Sequence, residues 1–140
     1  MLGEDLKPVE FNKIRNFVLK NEMTVIVNRN KITCVAMEYI ASYGMAVGKE
    51  VFETCIWIGR FTETLERHVD ITDIRPIYRK DVKLNLCGSV KAKDTNIRQS
   101  LLDRFGEVGT KKQQGWFYGF KSDIWAAYAV GVTYYDMHDK

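Results

Sequence analysis

Two short apolar runs along the chain predict β-strands. Residues 32–39 (ITCVAMEY) form an almost continuous apolar stretch rich in β-branched side chains, which is typical of a strand buried on both faces. One charge, Glu38, interrupts this run near its carboxyl end. Residues 71–78 predict a second strand, and residues 6–14 predict a further one, in which Pro8 favours an edge position.

Helical periodicity separates and follows these runs. A long helix is predicted over residues 48–67, with one stripe formed by Val51, Cys55, Ile58, Thr62 and Leu65. Weaker signals, with Asp94 as a cap and Gly88 and Gly106 as stops, predict helices at 15–23, 80–86, 94–105 and 122–137. This alternation predicts an α/β domain with a central sheet flanked by helices. The last helix would lie close against the sheet through its small residues Ala126, Ala127, Ala129 and Gly131.

Composition agrees with one globular domain over residues 1–140. Hydrophobic residues make up 46% of the chain and charged residues 28%. No apolar run approaches the ~20 residues that a membrane span requires, and the amino terminus lacks the pattern of a signal peptide. We therefore expect a cytoplasmic protein with no membrane partner.

The cysteines and histidines give no sign of a metal site. Cys34, Cys55 and Cys87 are odd in number and widely spaced, without a C-x-x-C pair. They are expected to be reduced and mostly buried thiols, since a disulfide framework or zinc site needs closer or paired spacing. His68 and His138 stand alone in the sequence and are expected at the surface.

The net charge of +3 permits nucleic-acid binding without demonstrating it. The basic residues do concentrate in one stretch, which contains Arg75, Arg79, Lys80, Lys83, Lys91, Lys93 and Arg98. Such a run is more often a solvated face than a binding site. It indicates nucleic-acid binding only if the folded protein gathers these side chains into one patch.

Two carboxylates, distant in the chain, are the candidates for metal chemistry. Glu38 lies near the end of a predicted buried strand, where either a salt bridge or a metal ion would offset its desolvation. Asp123 lies in the first turn of the last helix, where it would serve as a cap or interact with the helix dipole. If the two acids converge at one sheet edge, they could instead hold Mg²⁺ together with water and a substrate phosphate.

Three blocks of sequence, in order, resemble phage-type RuvC Holliday junction resolvases. Residues 36–54 are similar to the second catalytic strand and the following helix of that family. Residues 78–98 resemble its basic segment and the helix after it, and residues 121–130 resemble its C-terminal acidic helix. The resemblance extends over roughly residues 6–136.

The resemblance implies an RNase H-like fold with a central mixed sheet, and a metal-dependent endonuclease that cuts branched DNA such as a four-way junction. Glu38 and Asp123 would be the catalytic ligands of Mg²⁺ or Mn²⁺, and Lys83 would lie near the scissile phosphate. The implied DNA contacts are Arg79, Lys80, Lys91, Lys93 and Tyr43. Tyr43 would stack on bases, or would simply pack on the next helix. The family's dimer interface corresponds to residues 47–65, so a homodimer is expected.

Two departures from the family weaken the expectation of catalysis. The family's first strand carries the central Asp ligand, and no such strand is recognised here, so the fold is expected to be truncated at its first strand. A further acid one helical turn before the last Asp is replaced by Phe120. We therefore expect little or no nuclease activity. The alternatives are a non-catalytic DNA-binding or scaffold protein derived from this fold, or an α/β protein whose acids are merely paired and capped.

Overall fold

The computed structural model describes residues 1–138 and shows a small α/β protein with five helices and a two-stranded parallel sheet. In chain order the elements are α1 (Asn16–Asn30), β1 (Cys34–Tyr39), α2 (Lys49–Glu66), β2 (Asp73–Tyr78), α3 (Arg79–Cys87), α4 (Asp94–Phe105) and α5 (Ser122–His138). The strands predicted from the apolar runs are confirmed to within two residues, as is the long helix between them. The first predicted helix is also confirmed, but it continues to Asn30.

The chain forms two compact units. Residues 14–78 make up the sheet unit, which contains α1, β1, α2 and β2. Residues 1–13 and those from Arg79 onward make up the helical unit, which contains α3, α4 and α5. No helix within residues 1–138 has the length and apolar character needed to cross a membrane.

In the sheet unit, β1 and β2 pair in parallel, from Cys34 opposite Asp73 to Tyr39 opposite Tyr78. Parallel neighbours require a crossover of a dozen or more residues, and α2 provides it. The sheet is thus parallel among the described residues, whereas a mixed sheet was expected. The core beneath it is built on buried Met23, Val27 and Leu65, and the side chains packed on that core include Val35, Met37, Phe61 and Ile74.

β1 is not buried on both faces, as its continuous apolar pattern predicted. Val35 and Met37 pack on the core, while Cys34 and Glu38, which point to the other face, are exposed. Side chains alternate between faces along a strand, so α1 and α2 cover only one side of this sheet. The premise that Glu38 carries a large desolvation penalty is therefore wrong.

In the helical unit, α3, α4 and α5 run in the same direction. At one end Arg79, the first residue of α3, forms an ion pair with Asp94, the first residue of α4. At the other end Asp136 of α5 accepts hydrogen bonds from Asn85 of α3 (2.7 Å) and from Arg104 of α4 (2.7 and 2.8 Å). The first contact joins α3 to α4, and the second joins all three helices.

An aromatic cluster fills the helical unit. Phe117 is completely buried, and its ring centroid lies 4.7 Å from that of Trp125, 5.1 Å from Tyr128 and 5.3 Å from Phe120. The Tyr128 hydroxyl donates to the backbone oxygen of Leu6 (3.2 Å). Burial raises the pKa of Tyr128 to about 12, so the neutral phenol is the form that the core holds.

The strand predicted at residues 6–14 is wrong. The segment forms only an isolated bridge between Leu2 and Pro8. Its backbone hydrogen bonds close a local loop instead: Val9 N–H donates to Met1 O (3.0 Å) and Gly3 N–H to Lys7 O (2.9 Å). Leu6 is buried with a left-handed backbone (φ 67°), which a regular strand does not permit.

The small-residue stripe of α5 was expected to lie against a sheet, but α5 belongs to the helical unit and both strands belong to the sheet unit. Within the helical unit α5 packs on α3 and α4. Gly131 accommodates the amino-terminal segment, because a Cβ there would lie 2.7 Å from Leu2 Cδ1. At this position the stripe faces the Leu2 side chain.

The expectation of mostly buried thiols is also wrong. Cys34 and Cys55 are free and exposed, and Cys87 is free and half-buried. Burial raises the pKa of Cys87, which favours its unreactive thiol form. His68 is partly buried and within hydrogen-bonding distance of Thr24 Oγ1 (3.2 Å), while His138 is exposed as predicted.

Candidate nucleic-acid interface

The amino-terminal ends of α3, α4 and α5 lie together in the helical unit. The Arg79–Asp94 ion pair joins the starts of α3 and α4. From the second turn of α4, the guanidinium of Arg98 lies 4.9 Å from the ring centroid of Trp125, in the first turn of α5. We call this the amino-terminal end of the helical unit. Basic side chains of α3, the α3–α4 loop and α4 lie at this end, and Arg98 of α4 contacts the start of α5.

The charge of the protein is concentrated in the same unit. The helical unit contains thirteen Lys or Arg and ten Asp or Glu residues, whereas the sheet unit contains eight of each. The whole net charge of +3 therefore belongs to the helical unit. The partial positive charge of the three helix amino termini at this end is matched by one acid in each first turn, Asp81, Asp94 and Asp123, so attraction for phosphate comes from the basic side chains.

The predicted DNA contacts of this unit are distributed along that end. Lys80, Lys91 and Lys93 are exposed, and Arg79 and Lys83 are partly buried on α3. The Arg79 side chain remains 40% exposed although it pairs with Asp94. Exposed ion pairs contribute little to stability, so the pair can exchange with a phosphate at low cost.

Asp94 does not cap α4 as predicted. Lys93 is the N-cap residue, and its backbone N–H donates to the side chain of Asn96 (2.9 Å). The Asp94 carboxylate is instead engaged by Arg79. The basic segment is thus fixed to the start of α4 by two local interactions.

Asp123 lies in the first turn of α5, where the sequence predicted it. Its carboxylate forms an ion pair with Lys13, whose side chain is 76% exposed. No local pattern predicts this partner, since 110 positions separate the two residues in the chain. Arg98 was part of the predicted basic run, but its contact with Trp125 follows only from the packing of α4 on α5.

Phe120, at the position where the resolvase family often has another acid, belongs to the aromatic cluster. Its ring centroid lies 4.7 Å from that of Phe11 and 5.2 Å from Trp125. An acid in this place would lose the ring contacts and would bring a charge into an apolar environment. The packing of the helical unit therefore favours an aromatic side chain at this position.

The remaining predicted site residues lie in the sheet unit. Glu38 occupies the penultimate position of β1, opposite Ile77 of β2, and is exposed. Tyr43 follows β1 in a loop and is 67% exposed, so its ring is accessible for stacking. On α2, Phe52, Cys55 and Ile56 form an exposed, largely apolar face in the segment predicted to dimerise.

Metal-ligand groups are not assembled within either unit. Among residues 1–138 no three His, Cys, Asp or Glu side chains are grouped in a way that could hold a metal ion. Asp123 is already paired with an ammonium group, and Glu38 belongs to the other unit.

Comparisons with known proteins add no assignment to these observations. The sequence matches no protein-family model, and no curated protein matches it significantly.

Proposed function

We propose that this protein binds branched DNA through its helical unit and belongs to the lineage of RuvC-type Holliday junction resolvases, with an RNase H-like fold. The observation that carries the proposal is the shared position of the amino-terminal ends of α3, α4 and α5, together with the basic side chains gathered there. A four-way junction is the DNA class that the resemblance implies.

The order of the elements supports the lineage. The three resembling blocks fall on β1 with the start of α2, on α3 with the start of α4, and on the start of α5. Glu38 lies near the carboxyl end of its strand and Asp123 in the first turn of its helix, as the resemblance requires. These are the positions at which the family's acids and basic segment are expected.

Phosphate contacts account for the binding. Five cationic side chains, from Arg79, Lys80, Lys83, Lys91 and Lys93, lie on α3, at the start of α4 or in the loop that joins them. Cations that neutralise phosphates release counterions from DNA, so such binding needs no metal. Phosphate contacts position a protein on DNA and carry no sequence information. Binding should therefore depend on salt and only weakly on sequence.

We expect the affinity for a four-way junction to fall steeply with salt. Five phosphate contacts predict a slope of log Kobs against log salt of about −4 to −5. The double variant Lys80→Gln/Lys93→Gln should reduce the magnitude of that slope by about 2. Fluorescence anisotropy with a labelled junction over a salt series measures both quantities.

The matched control removes two positive charges from the sheet unit, as Lys20→Gln/Arg67→Gln. Its slope should equal that of the unmodified protein, because neither residue belongs to the proposed surface. Junction binding that is insensitive to salt, or equal effects of the two double variants, would contradict the proposal.

A second candidate function is metal-dependent cleavage of the junction. The positions of Glu38 and Asp123 on their predicted elements favour it, with Mg²⁺ or Mn²⁺ as the metal and Lys83 beside the phosphate. Because Phe120 stands where the family often has a further acid, and no metal-ligand group is assembled among residues 1–138, we expect little or no cleavage by the purified chain. Incubation with a labelled junction and either metal tests this. Robust cleavage that Glu38→Gln abolishes would establish the nuclease instead.

Dimerisation through residues 47–65 is the third element of the proposal. The exposed face of α2 supports it, since Phe52 is 61% and Ile56 55% exposed. Large apolar side chains on one helix face are typical of a surface that a partner covers. Light scattering that finds only monomer at all concentrations tested would exclude it.

A further inference from the structure

The loop between α4 and α5 contains a tightly closed hairpin at its start, formed by residues 108–115. Thr110 and Gln113 exchange backbone hydrogen bonds, of 3.0 and 3.1 Å, across the two residues Lys111 and Lys112. Gly109 and Gln114 form a bridge below them, and Gly115 N–H donates to Val108 O (2.9 Å). The two lysines therefore occupy the tip of an ordered turn.

Two glycines allow the arms of this hairpin to approach each other closely. Gly109 has a φ of 80°, and a Cβ there would lie 2.4 Å from Gln113 O. A Cβ on Gly115 would overlap Glu107 O, at 1.9 Å. Contacts below 3.0 Å with backbone atoms are not tolerated, so both positions require glycine. A larger residue at either position would therefore open the hairpin.

The hairpin is anchored at its base by the aromatic cluster. The ring of Trp116 stacks on Phe105 with centroids 5.6 Å apart, and Phe117 is fully buried. All residues from Thr110 to Gln114 are exposed. The tip is thus held in place by its backbone and its base, with its side chains directed to solvent.

Ordering an exposed segment costs conformational entropy that buried surface normally offsets. Here no side chain of residues 110–114 is buried, so all of them are free to contact a partner while the backbone is already ordered. A preorganised segment loses less entropy when it binds. Its exposed groups are two ammonium groups, a hydroxyl and two amides, all of which can donate hydrogen bonds to phosphate oxygens.

We propose that the hairpin of residues 108–115 is a second DNA contact, in which Lys111 and Lys112 bind phosphates of a duplex arm. This inference rests on the proposed DNA-binding function and adds a contact to it. The hairpin leaves α4 at its carboxyl-terminal end, whereas Lys93 and Arg79 lie at its amino-terminal end. A helix of 12 residues is about 18 Å long. The lysines therefore reach phosphates other than those contacted by the basic segment.

The test is the double variant Lys111→Gln/Lys112→Gln, compared with Lys20→Gln/Arg67→Gln in the full chain. Because the hairpin adds two phosphate contacts to the five of the basic segment, the slope for the unmodified protein should be about −6, and the double variant should return it to the value of about −4 to −5 expected of the basic segment alone. The advantage of the unmodified protein over the tip variant should then shrink about tenfold between 50 and 200 mM salt. Since phosphates are the ligand, a linear duplex and a four-way junction should lose affinity by the same factor.

Two results separate failure of the hairpin from failure of the proposed function. If the unmodified protein binds the junction with a slope of about −4 to −5 and the tip variant behaves identically, the hairpin contact is refuted and the proposed function stands. If the unmodified protein does not bind DNA at all, the proposed function is refuted, and the hairpin contact is refuted with it. A loss confined to the junction would show recognition of the branch point and overturn the phosphate assignment.

Discussion

Replacing Phe117 by alanine is expected to lower the free energy of unfolding of the helical unit by about 3–5 kcal/mol. The free energy of unfolding of a small domain is roughly 5–15 kcal/mol in total. This single change therefore removes a large part of the stability. The side chain is fully buried, and its ring contacts Phe105, Phe120, Trp125 and Tyr128. Alanine would leave a cavity with four aromatic walls.

The cavity cannot close without moving elements that other contacts hold. Trp125 lies under Arg98 of α4, and Tyr128 is hydrogen-bonded to Leu6. Collapse would break one of these interactions, so most of the lost packing energy should appear in the measured stability. Destabilisation near the upper end of the range is expected for the same reason.

Denaturant titration followed by tryptophan fluorescence measures the effect, because Trp116 and Trp125 both belong to the cluster around Phe117. Phe17→Ala is the matched control: this phenylalanine is 67% exposed on α1 and should change stability by less than about 0.5 kcal/mol. If the two variants unfold at the same denaturant concentration, Phe117 is not the centre of the core.

The parts of the fold that the sequence predicted correctly are those whose signal is local. The long α2 follows from a stripe of apolar and small residues, and α3 ends where Gly88 adopts a positive φ of 70°. The error at residues 6–14 arose because alternating apolar residues can serve a loop as well as a strand. There the amino terminus of Met1 donates to Glu10 O (2.7 Å), which closes the segment on itself.

In the candidate site too, the features with a local signal were predictable and the long-range contacts were not. Asp123 could be placed in the first turn of a helix because helix starts have a recognisable sequence, and the run of cations from Arg79 to Arg98 is visible in the sequence. The partners are not visible, since Lys13 meets Asp123 only when distant segments fold together. The glycines at 109 and 115 are visible in the sequence, but their role depends on the approach of backbone atoms that no single residue encodes.

Asp136 connects the carboxyl-terminal ends of all three helices in the helical unit. Its side chain is only 13% exposed and accepts three hydrogen bonds, two from Arg104 and one from Asn85. The hydrogen bond to Asp136 is the main reason that the pKa of Arg104 is raised, so the guanidinium stays charged. The pair is bidentate, which is the strong geometry for arginine and carboxylate.

Asp136→Asn is therefore expected to destabilise the helical unit by about 2–3 kcal/mol. The amide keeps the shape of the carboxylate but offers one acceptor oxygen, so it sets an N–H group against Arg104 or Asn85 and leaves a partly buried charge unpaired. The matched control is Glu63→Gln, which weakens the exposed pair with Arg67 within α2 and should cost at most about 0.5 kcal/mol. Urea unfolding of both variants gives the comparison. Equal, small losses would mean that helix packing alone holds α3, α4 and α5 together, and that the aromatic cluster suffices without this polar connection.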